Sequence, residues 1–451
     1  MTPRRIHQRH RFPGIALAVT TSLALASAAP ALSLPPPPAA VSIPTREVVV
    51  TDFGAVADGS TMCTESIQAA IDKTLASGGG RVVIPAGRFL CGPLTLGSKL
   101  DLHLAENAAL VMSDDPADFP VTGNNHADFL RAHKCEDVRI SGNGTIDGQG
   151  ARWWKAFLEL KRSGREKSAP RRPQMISIEG CRRVAVDSIT TLNPPNTHFS
   201  IKSCSDVTIR GLHAEAPDDS PNTDALNLNR VRDALVRDCE ISTGDDNIVL
   251  LCGEGKPGRP EVENVVIRDC KLGFGHGLSI GSYTGGGVRN VFVGNVAFDG
   301  TTSGIRMKAW RDRGGVVEHI HYRNIRMKHV RYPVFLSSYY PKEPAHPSKD
   351  LPKRGLKMTP VWRDIEIRDV EISDSRNSII VWGLPDEPIR NVRFDKVTVS
   401  ADVGARVYHA DGVSFENVAI HPADGPALRV HDATVRGLKG ERETGKTVKF
   451  Q

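Results

Sequence analysis

The sequence predicts an all-β fold: a right-handed parallel β-helix with a short capping helix at its N-terminal end. Three observations support this prediction. Apolar and polar residues alternate in short runs, which is typical of strands with one buried face. The runs recur every 21–31 residues, which indicates one supersecondary unit stacked on itself. The composition is rich in turn-forming residues, with 41 Gly and 30 Pro among 451 residues. A propeller would need repeats of about 40–50 residues, and helical repeats would need a 3.6-residue period that is absent.

The N-terminus has the pattern of a secretory signal peptide. Arginines precede a short apolar stretch, Gly14–Ala26, and Ala26-Ser27-Ala28 suits cleavage by signal peptidase. An uncleaved anchor is the alternative interpretation. We assign residues 1–28 to the signal, 29–45 to a Pro-rich linker and 46–451 to a single β-helix domain, and we expect the mature protein to be secreted or periplasmic.

The net charge argues against a nucleic-acid partner. The formal charge is +6, but residues 1–33 contribute four arginines and no acid, so the rest of the chain carries +2. A nucleic-acid-binding protein usually has a strong basic footprint. No later stretch is long enough to span a membrane. We expect a soluble monomer that binds neither nucleic acid nor membrane once the signal is removed.

The first element after the linker that the sequence defines well is a helix. Thr64–Ala76 has apolar residues at helical spacing, and it is followed by Gly78-Gly79-Gly80, a strong stop signal. A β-helix exposes its core and its strand edges at an open end, and a terminal helix can cover both. We expect this helix to form the N-terminal cap.

Ten short runs carry the repeat, and the first apolar residue of each serves as its marker. The markers are Val138, Val184, Val207, Ala234, Val265, Val291, Ile320, Ile365, Val392 and Val413. Two of the intervals are 46 and 45 residues long, which leaves room for an insertion or for a coil without a marker. Apolar residues also recur two positions after each marker, and five positions after most of them. We expect these positions to form buried columns along the β-helix.

Eight cysteines follow the leader, and five of them fit these columns. Cys239 and Cys270 lie five residues after their markers, whereas Cys135, Cys181 and Cys204 lie three residues before theirs. We interpret the five as stacked buried thiols, with disulfides as the alternative. The sequence contains no CxxC pair and no His/Cys cluster at zinc spacing, so we expect neither a metal nor a cofactor.

Three aspartates interrupt the apolar pattern at the spacing of one coil. Asp224 and Asp245 are 21 residues apart, and Asp246 follows directly. Because neighbouring strands lie about 4.7–4.9 Å apart, the three carboxylates could share one patch. Close carboxylates repel each other, which keeps one protonated near neutral pH and supplies a general acid and a general base together. Glycoside hydrolysis needs this pair. Taken alone, Asp245-Asp246 is more often a turn.

A histidine and two cations follow at similar intervals. His276 lies between two glycines, 30 residues after Asp246. Arg306 and Lys308 come 30 and 32 residues later, and strand alternation puts their side chains on one face. Two cations beside an acidic cluster indicate an anionic substrate such as a uronic acid, whose carboxylate Arg can hold with two bonds. Taken alone, the His segment would be a flexible loop and the cations a solvated strand face.

These segments, in this order, resemble the polygalacturonases of glycoside hydrolase family 28. The four motifs are Asn222-Thr-Asp224, Gly244-Asp-Asp246, Gly275-His-Gly277 and Arg306-Met-Lys308. Weaker matches are Asp52–Gly59, which is also similar to pectate-lyase-like β-helices, and Gly144–Gly150 with Trp153-Trp154. The resemblance covers roughly residues 47–420. It implies a pectin-lyase-like β-helix that cleaves α-1,4 bonds between the galacturonic acid residues of pectin, with inversion and without a cofactor.

The resemblance also implies a role for each matched residue. Asp245 would be the general acid, and Asp224 and Asp246 would hold and deprotonate the attacking water. His276 would sustain the protonation of the acid. The substrate would be an anionic polysaccharide, either pectin, polygalacturonate or oligogalacturonides, and its binding residues would be Arg306, Lys308, Asn222 and Tyr340. The register of Pro333–Tyr340 favours Tyr340 over Tyr339.

The sequence departs from the family pattern at three positions. Ala225 replaces a usual Gly, and Met307 replaces a usual Ile. Asn247 stands where many members have a Cys that forms a disulfide near the site, which puts that disulfide in doubt. None of these changes removes a matched catalytic side chain.

Two other functions are compatible with a β-helix. A pectate or rhamnogalacturonan lyase would usually need calcium carboxylates and a cationic base, and its unsaturated products would absorb in the near ultraviolet. A carbohydrate-binding or tailspike β-helix would be unaffected by loss of Asp245. Endo or exo action depends on whether loops close the cleft, and the insertion Pro341–Pro360 is either such a wall or a solvated loop.

Overall fold

The computed structural model describes residues 34–253, 260–353, 355, 358–438, 442–444 and 448–449. From Pro35 onward these residues belong to one compact unit. The signal peptide assigned to residues 1–28 and the start of the linker lie outside the described residues. Among the described helices, none is both long and apolar enough to cross a membrane.

Strands dominate the described chain. The first strands are β1 Glu47–Val49, β2 Asp58–Met62, β3 Gly80–Ile84, β4 Gly87–Cys91, β5 Leu94–Leu96, β6 Leu100–Leu104, β7 Ala108–Met112, β8 Val121–Thr122, β9 Asn125–His126, β10 Leu130–His133, β11 Glu136–Gly142 and β12 Thr145–Asp147. The central strands are β13 Ile176–Glu179, β14 Arg182–Asp187, β15 Thr190–Leu192, β16 Phe199–Lys202, β17 Ser205–Arg210, β18 His213–Glu215, β19 Leu226–Asn229, β20 Arg232–Arg237, β21 Glu240–Ser242, β22 Ile248–Cys252, β23 Val262–Leu272 and β24 Leu278–Thr284. The last strands are β25 Val288–Asp299, β26 Ser303–Lys308, β27 Val316–Lys328, β28 Tyr332–Ser337, β29 Val361–Ser375, β30 Ile379–Trp382, β31 Ile389–Arg436, β32 Arg442–Thr444 and β33 Val448–Lys449.

The strands form the predicted right-handed parallel β-helix, in which each strand pairs with its equivalent one coil later. One stack runs β13–β16–β19–β22–β24–β26–β28–β30, and a second runs β14–β17–β20–β23–β25–β27–β29–β31. A third, shorter stack contains β12, β15, β18 and β21. Apolar side chains from all three stacks fill one continuous core.

The marker column is confirmed by the strand register. Val138 pairs with Val184, and the pairing continues from coil to coil as far as Val392. The tenth marker, Val413, is buried within β31. The column forms because each coil buries its marker against the markers above and below, so a slip of one residue would turn every side chain outward.

The two long intervals are insertions within a coil. Val138 pairs directly with Val184, and Ile320 pairs directly with Ile365, so no coil without a marker lies between them. The first insertion contains a helix, α2 Ala151–Arg162, and the second spans residues 338–360 between β28 and β29. The coil therefore accepts extra chain without changing its stacking.

The predicted capping helix is present as α1 Thr64–Ala76. Its buried residues include Ile67, Ala70 and Ile71, and it contacts the first strands β1, β3 and β5. Short 3-10 helices occur at Val50–Phe53, Pro116–Asp118 and Pro347–Lys349.

Polar residues with positive φ form a turn column one position before the markers. Its members are Asp137, Arg183, Asp206, Asp233, Asn264, Asn290, His319, Asp364 and Asn391. Asn and Asp tolerate this left-handed conformation better than other residues with a side chain. Asn264 Nδ2 donates to Asp233 Oδ1 at 2.8 Å, so the side chains also ladder from coil to coil. The linker lies along this column, where Ala39 N donates to Asp206 and Ser42 N to Asp137.

The cysteines are thiols. All eight are buried and unpaired, so the interpretation as stacked thiols is confirmed for the five in columns. Cys135 N contacts Cys181 Sγ at 3.3 Å, and Cys181 N contacts Cys204 Sγ at 3.4 Å.

Candidate active site

The predicted site residues lie close together at the N-terminal ends of neighbouring strands in the first stack. Leu226, Ile248, Leu278 and Ile305 are consecutive partners in this stack. Asp224, Asp246 and His276 each lie two residues before one of them, so all three occupy one position of successive coils. The register that buries the apolar residues therefore also brings these polar residues together.

Asp224, Asp245 and Asp246 form a carboxylate cluster. The backbone N of Asp246 donates to Asp224 Oδ1 at 3.1 Å and to Asp245 Oδ1 at 2.9 Å. Asp246 is 5% exposed, whereas the side chain of Asp245 is 24% exposed. Asp246 therefore lies deepest in the cluster, whereas Asp245 and Asp224 are both half-buried.

Three donors hold the carboxylate of Asp246. Lys308 Nζ lies 2.7 Å from Oδ2 and Arg306 Nη1 lies 3.2 Å from Oδ1. Ser279 Oγ donates to Oδ1 at 2.7 Å. Both cations reach the same carboxylate, as the alternation of Arg306 and Lys308 in β26 predicts.

Two side chains contact the carboxylate of Asp245, in addition to the backbone N of Asp246. His276 Nδ1 lies 3.1 Å from Oδ1, and Asn222 Nδ2 donates to Oδ2 at 3.3 Å. His276 Nδ1 is also 3.9 Å from Asp246 Oδ1, so the imidazole lies between the two carboxylates.

The pKa values of Asp224 and Asp245 are shifted in opposite directions. Burial, followed by the charges of Asp245 and Asp246, raises the pKa of Asp224 well above its ordinary value. Burial also acts to raise the pKa of Asp245, but the hydrogen bond and charge of His276, with the charge of Lys308, outweigh it and leave this pKa lowered. The surroundings therefore favour the neutral form at Asp224 and the ionised form at Asp245.

Tyr340 lies beside the two cations of the site, whereas Tyr339 lines the same groove but makes its ring and hydroxyl contacts elsewhere. The ring of Tyr340 lies 5.4 Å from Lys308 Nζ and 5.9 Å from Arg306 Cζ. Tyr339 packs instead against Trp382, and its hydroxyl bonds Asp350. The expected preference for Tyr340 agrees with this geometry.

The second insertion borders a groove that lies beside His276 and Arg306. Pro341 and Glu343 line it together with His276 and Arg306. The buried Arg311 anchors the insertion through an ion pair with Asp350 at 2.9 Å. Of the two interpretations of this segment, a wall of the cleft fits its described part better than a solvated loop.

Asn247 is a positioning residue that the sequence did not reveal. Its Nδ2 donates to Phe274 O at 2.6 Å, and its Oδ1 accepts from Gly277 N at 2.8 Å. It is fully buried and thereby pins both sides of the loop that carries His276. Because all eight cysteines are unpaired, these hydrogen bonds hold the loop in place of a disulfide.

Further polar residues around the cluster were also missed. Ser279, which bonds Asp246, and Asn227, whose Nδ2 lies 3.5 Å from Asp224 Oδ2, share the register position of Arg306. That common offset of three residues from Asp224 and His276 is the signal that would have found them. Arg172 also reaches the site, from the first insertion, where no repeat predicts its position.

One set of site residues has the ligand types for a metal ion. Ligand atoms of Asp245, Asp246 and His276 lie within 4.8 Å of one another. However, Lys308 and Arg306 already supply positive charge to Asp246. An added cation would therefore meet repulsion from both, and the arrangement favours proton transfer.

Comparison with known proteins shows what the chain is similar to. The family model for glycosyl hydrolases family 28 matches residues 80–419. A probable polygalacturonase of Vitis vinifera is 28% identical over 80% of this chain and 76% of its own length. An endo-polygalacturonase of Pectobacterium carotovorum subsp. carotovorum is 29% identical over 77% of this chain and 86% of its own. The solved polygalacturonase of Erwinia carotovora ssp. carotovora superposes with a TM-score of 0.67 and 25% identity, covering 86% of this chain and 98% of that one.

Proposed function

Since the chain belongs to glycosyl hydrolases family 28, we propose that it is an inverting polygalacturonase that cleaves α-1,4 bonds between galacturonic acid residues of pectin. The observation that carries the proposal is that three carboxylates lie together and that two cations, Arg306 and Lys308, contact one of them, Asp246. The carboxylates supply the acid and base of hydrolysis, and the cations suit an anionic sugar. The N-terminal signal pattern supports action outside the cytoplasm, on pectin of cell walls.

The chemistry proceeds as a single displacement. Water attacks the anomeric carbon and loses a proton to Asp224 or Asp246, while the bond to the leaving oxygen breaks and Asp245 gives that oxygen a proton. Asp245 suits the acid role because its side chain is partly accessible to a bound sugar, whereas Asp246 is buried and held by Lys308 and Arg306. His276, at 3.1 Å, holds its carboxyl group.

Substrate binding favours the protonated form of Asp245, which the free site disfavours. A galacturonate carboxylate bound by Arg306 and Lys308 adds negative charge and neutralises Lys308, one of the groups that keep the pKa of Asp245 low. Binding therefore raises the pKa of Asp245 and moves the shared proton toward it. Tyr340, close to both cations, is placed to contact the same sugar.

The test is product analysis on polygalacturonate over time. We expect new reducing ends, without the near-ultraviolet absorbance that β-elimination creates. Proton NMR should show β-configured reducing ends first, because inversion changes the configuration of an α-linkage. An Asp245→Asn variant should lose about 10²-fold or more in rate. Ultraviolet-absorbing products, or an unaffected variant, would refute the proposal. Monomer alone from the start would indicate exo action, and a ladder of oligomers endo action.

A further inference from the structure

Arg172 connects the first insertion to the loops of the candidate site. Its Nη1 donates to Pro195 O at 2.7 Å and to Pro221 O at 2.9 Å. Its Nη2 donates to Asn222 Oδ1 at 2.9 Å. The guanidinium also stacks over Phe157 of α2, with Cζ 4.1 Å from the ring centroid. One side chain thus ties together three separate segments, two of which border the carboxylate cluster.

The surroundings of Arg172 are unusual for a partly buried cation. Its hydrogen bonds in the described chain go to neutral carbonyl and amide oxygens, and no described carboxylate forms an ion pair with it. Burial lowers its pKa to about 10. Burying a cation without a counter-ion costs free energy. The hydrogen bonds of Arg172 must offset that cost.

These bonds decide how Asn222 is oriented. An amide presents an acceptor on one side and a donor on the other. Because Oδ1 accepts from Arg172, Nδ2 is the atom that faces Asp245, at 3.3 Å. Asn222 is otherwise exposed, and its backbone has a left-handed φ of 58°. If the amide were reversed, an oxygen would face the carboxylate of Asp245 and repel it.

We propose that Arg172 is a positioning residue for glycosidic cleavage: it fixes the side-chain amide of Asn222 so that a donor always faces Asp245. The inference rests on the proposed function, since it assigns Arg172 a part in the same reaction. Arg172 acts through Asn222 and does not itself contact the reacting atoms.

The test compares Arg172→Gln with wild-type enzyme and with Arg171→Gln, a matched change at an exposed neighbour. Arg172→Gln should lower kcat by about 10-fold or more, with KM within about threefold. Loss of the oriented donor favours protonated Asp245, so the basic limb of the rate profile should move to higher pH by about half a unit. Arg171→Gln should leave both unchanged. A merely structural role for Arg172 would lower the amount of folded enzyme but would not move the pH profile.

A double-mutant cycle with Asn222→Ala tests whether Arg172 acts through Asn222. If Arg172 acts through Asn222, the double variant should be no slower than the slower single variant, and Asn222→Ala alone should reproduce the pH shift. Additive losses, or an unshifted profile in a folded Arg172→Gln, would overturn the inference. If Arg172→Gln fails to fold, Arg172→Lys and Asn222→Ala carry the same test. Inactive wild-type enzyme would refute the proposed function instead, whereas active wild type with an indifferent Arg172 would refute only this inference.

Discussion

The turn column and the carboxylate cluster both stack aspartates from successive coils, and the β-helix spaces them alike. In the turn column, Asp137 accepts from Arg183 Nε at 2.7 Å and from Ser42 N at 2.9 Å, and these contacts, with that of Arg183 the largest, lower its pKa. In the cluster, Asp224 has one backbone donor at 3.1 Å, and its pKa is raised by burial and by two neighbouring carboxylates. Asp224 also accepts two longer hydrogen bonds, from Thr197 Oγ1 and from Asn227 Nδ2 at 3.5 Å each, so the two aspartates do not differ in their number of donors. The cation beside Asp137 and the burial and neighbouring carboxylates around Asp224, and not the stacking, shift their pKa values in opposite directions.

The largest difference between the two regions should appear when one carboxylate of each is made neutral. Asp246→Asn leaves Lys308 and Arg306 without their partner and removes a proposed base, so kcat should fall by about 10²-fold or more. Asp233→Asn, in the turn column, keeps a side chain that tolerates positive φ, so kcat should stay within about twofold. Steady-state kinetics on polygalacturonate decide the matter. Equal losses in both variants would show that the comparison is mistaken.

Asn247 and Asn295 offer a second pair, in which the effect on stability is compared. Asn247→Ala leaves the backbone N–H of Gly277, beside His276, without its partner, so the free energy of unfolding should fall by about 1–3 kcal/mol, with a loss of kcat. Asn295 is an exposed ladder residue whose Nδ2 donates to Asp269 at 2.9 Å. Asn295→Ala should cost less stability and leave kcat unchanged. Urea denaturation and kinetics measure both. A silent Asn247→Ala would contradict its role in holding the His276 loop.

The pH dependence of the reaction should differ between the free enzyme and the substrate complex, because Lys308 affects the pKa of Asp245. The profile of kcat/KM reports the free enzyme, in which Lys308 helps to lower the pKa of Asp245. The profile of kcat reports the complex, in which the substrate carboxylate neutralises Lys308. The basic limb of kcat should therefore lie about half a pH unit or more above that of kcat/KM. In Lys308→Gln the gap should shrink, and a wild-type enzyme with superimposed limbs would rule out the transfer of the proton on binding.

The smallest expected effect is a difference in how stability depends on pH. The pKa of Asp224 is raised in the folded protein, so its contribution to stability is present below its ordinary pKa of 3.8 and is lost as pH rises through the raised value. Asp224→Asn should therefore gain stability relative to wild type as pH rises. The pKa of Asp137 is lowered, so its contribution is present above 3.8 and is lost as pH falls through the lowered value.

Asp137→Asn should accordingly be less stable than wild type at neutral pH, and this penalty should fade in acid. Thermal unfolding at several pH values distinguishes the two variants. Parallel pH dependences would mean that the two aspartates have similar surroundings after all.

The sequence predicted the columns well because burial enforces them. An apolar residue that recurs once a coil can be buried only in register, so Val138 and its partners follow from spacing alone. The same register placed Asp224, Asp246 and His276 together. Helix α2 was missed although Trp153, Phe157 and Leu160 recur at helical spacing, because it lies in an insertion, outside the coil repeat on which the prediction depends. Arg172 and Asn247 were missed because their importance lies in hydrogen-bond geometry across loops, which no period encodes.

The two insertions have a consequence for the origin of new specificities. Val138 stays paired with Val184, and Ile320 with Ile365, although each pair is separated by about twice the usual interval. Lengthening a loop whose ends are already fixed is inexpensive, since each doubling costs only about 0.6 kcal/mol of closure entropy. We therefore expect these two positions to tolerate a change in the length of the inserted segment, while the pairing of the coils on either side stays intact.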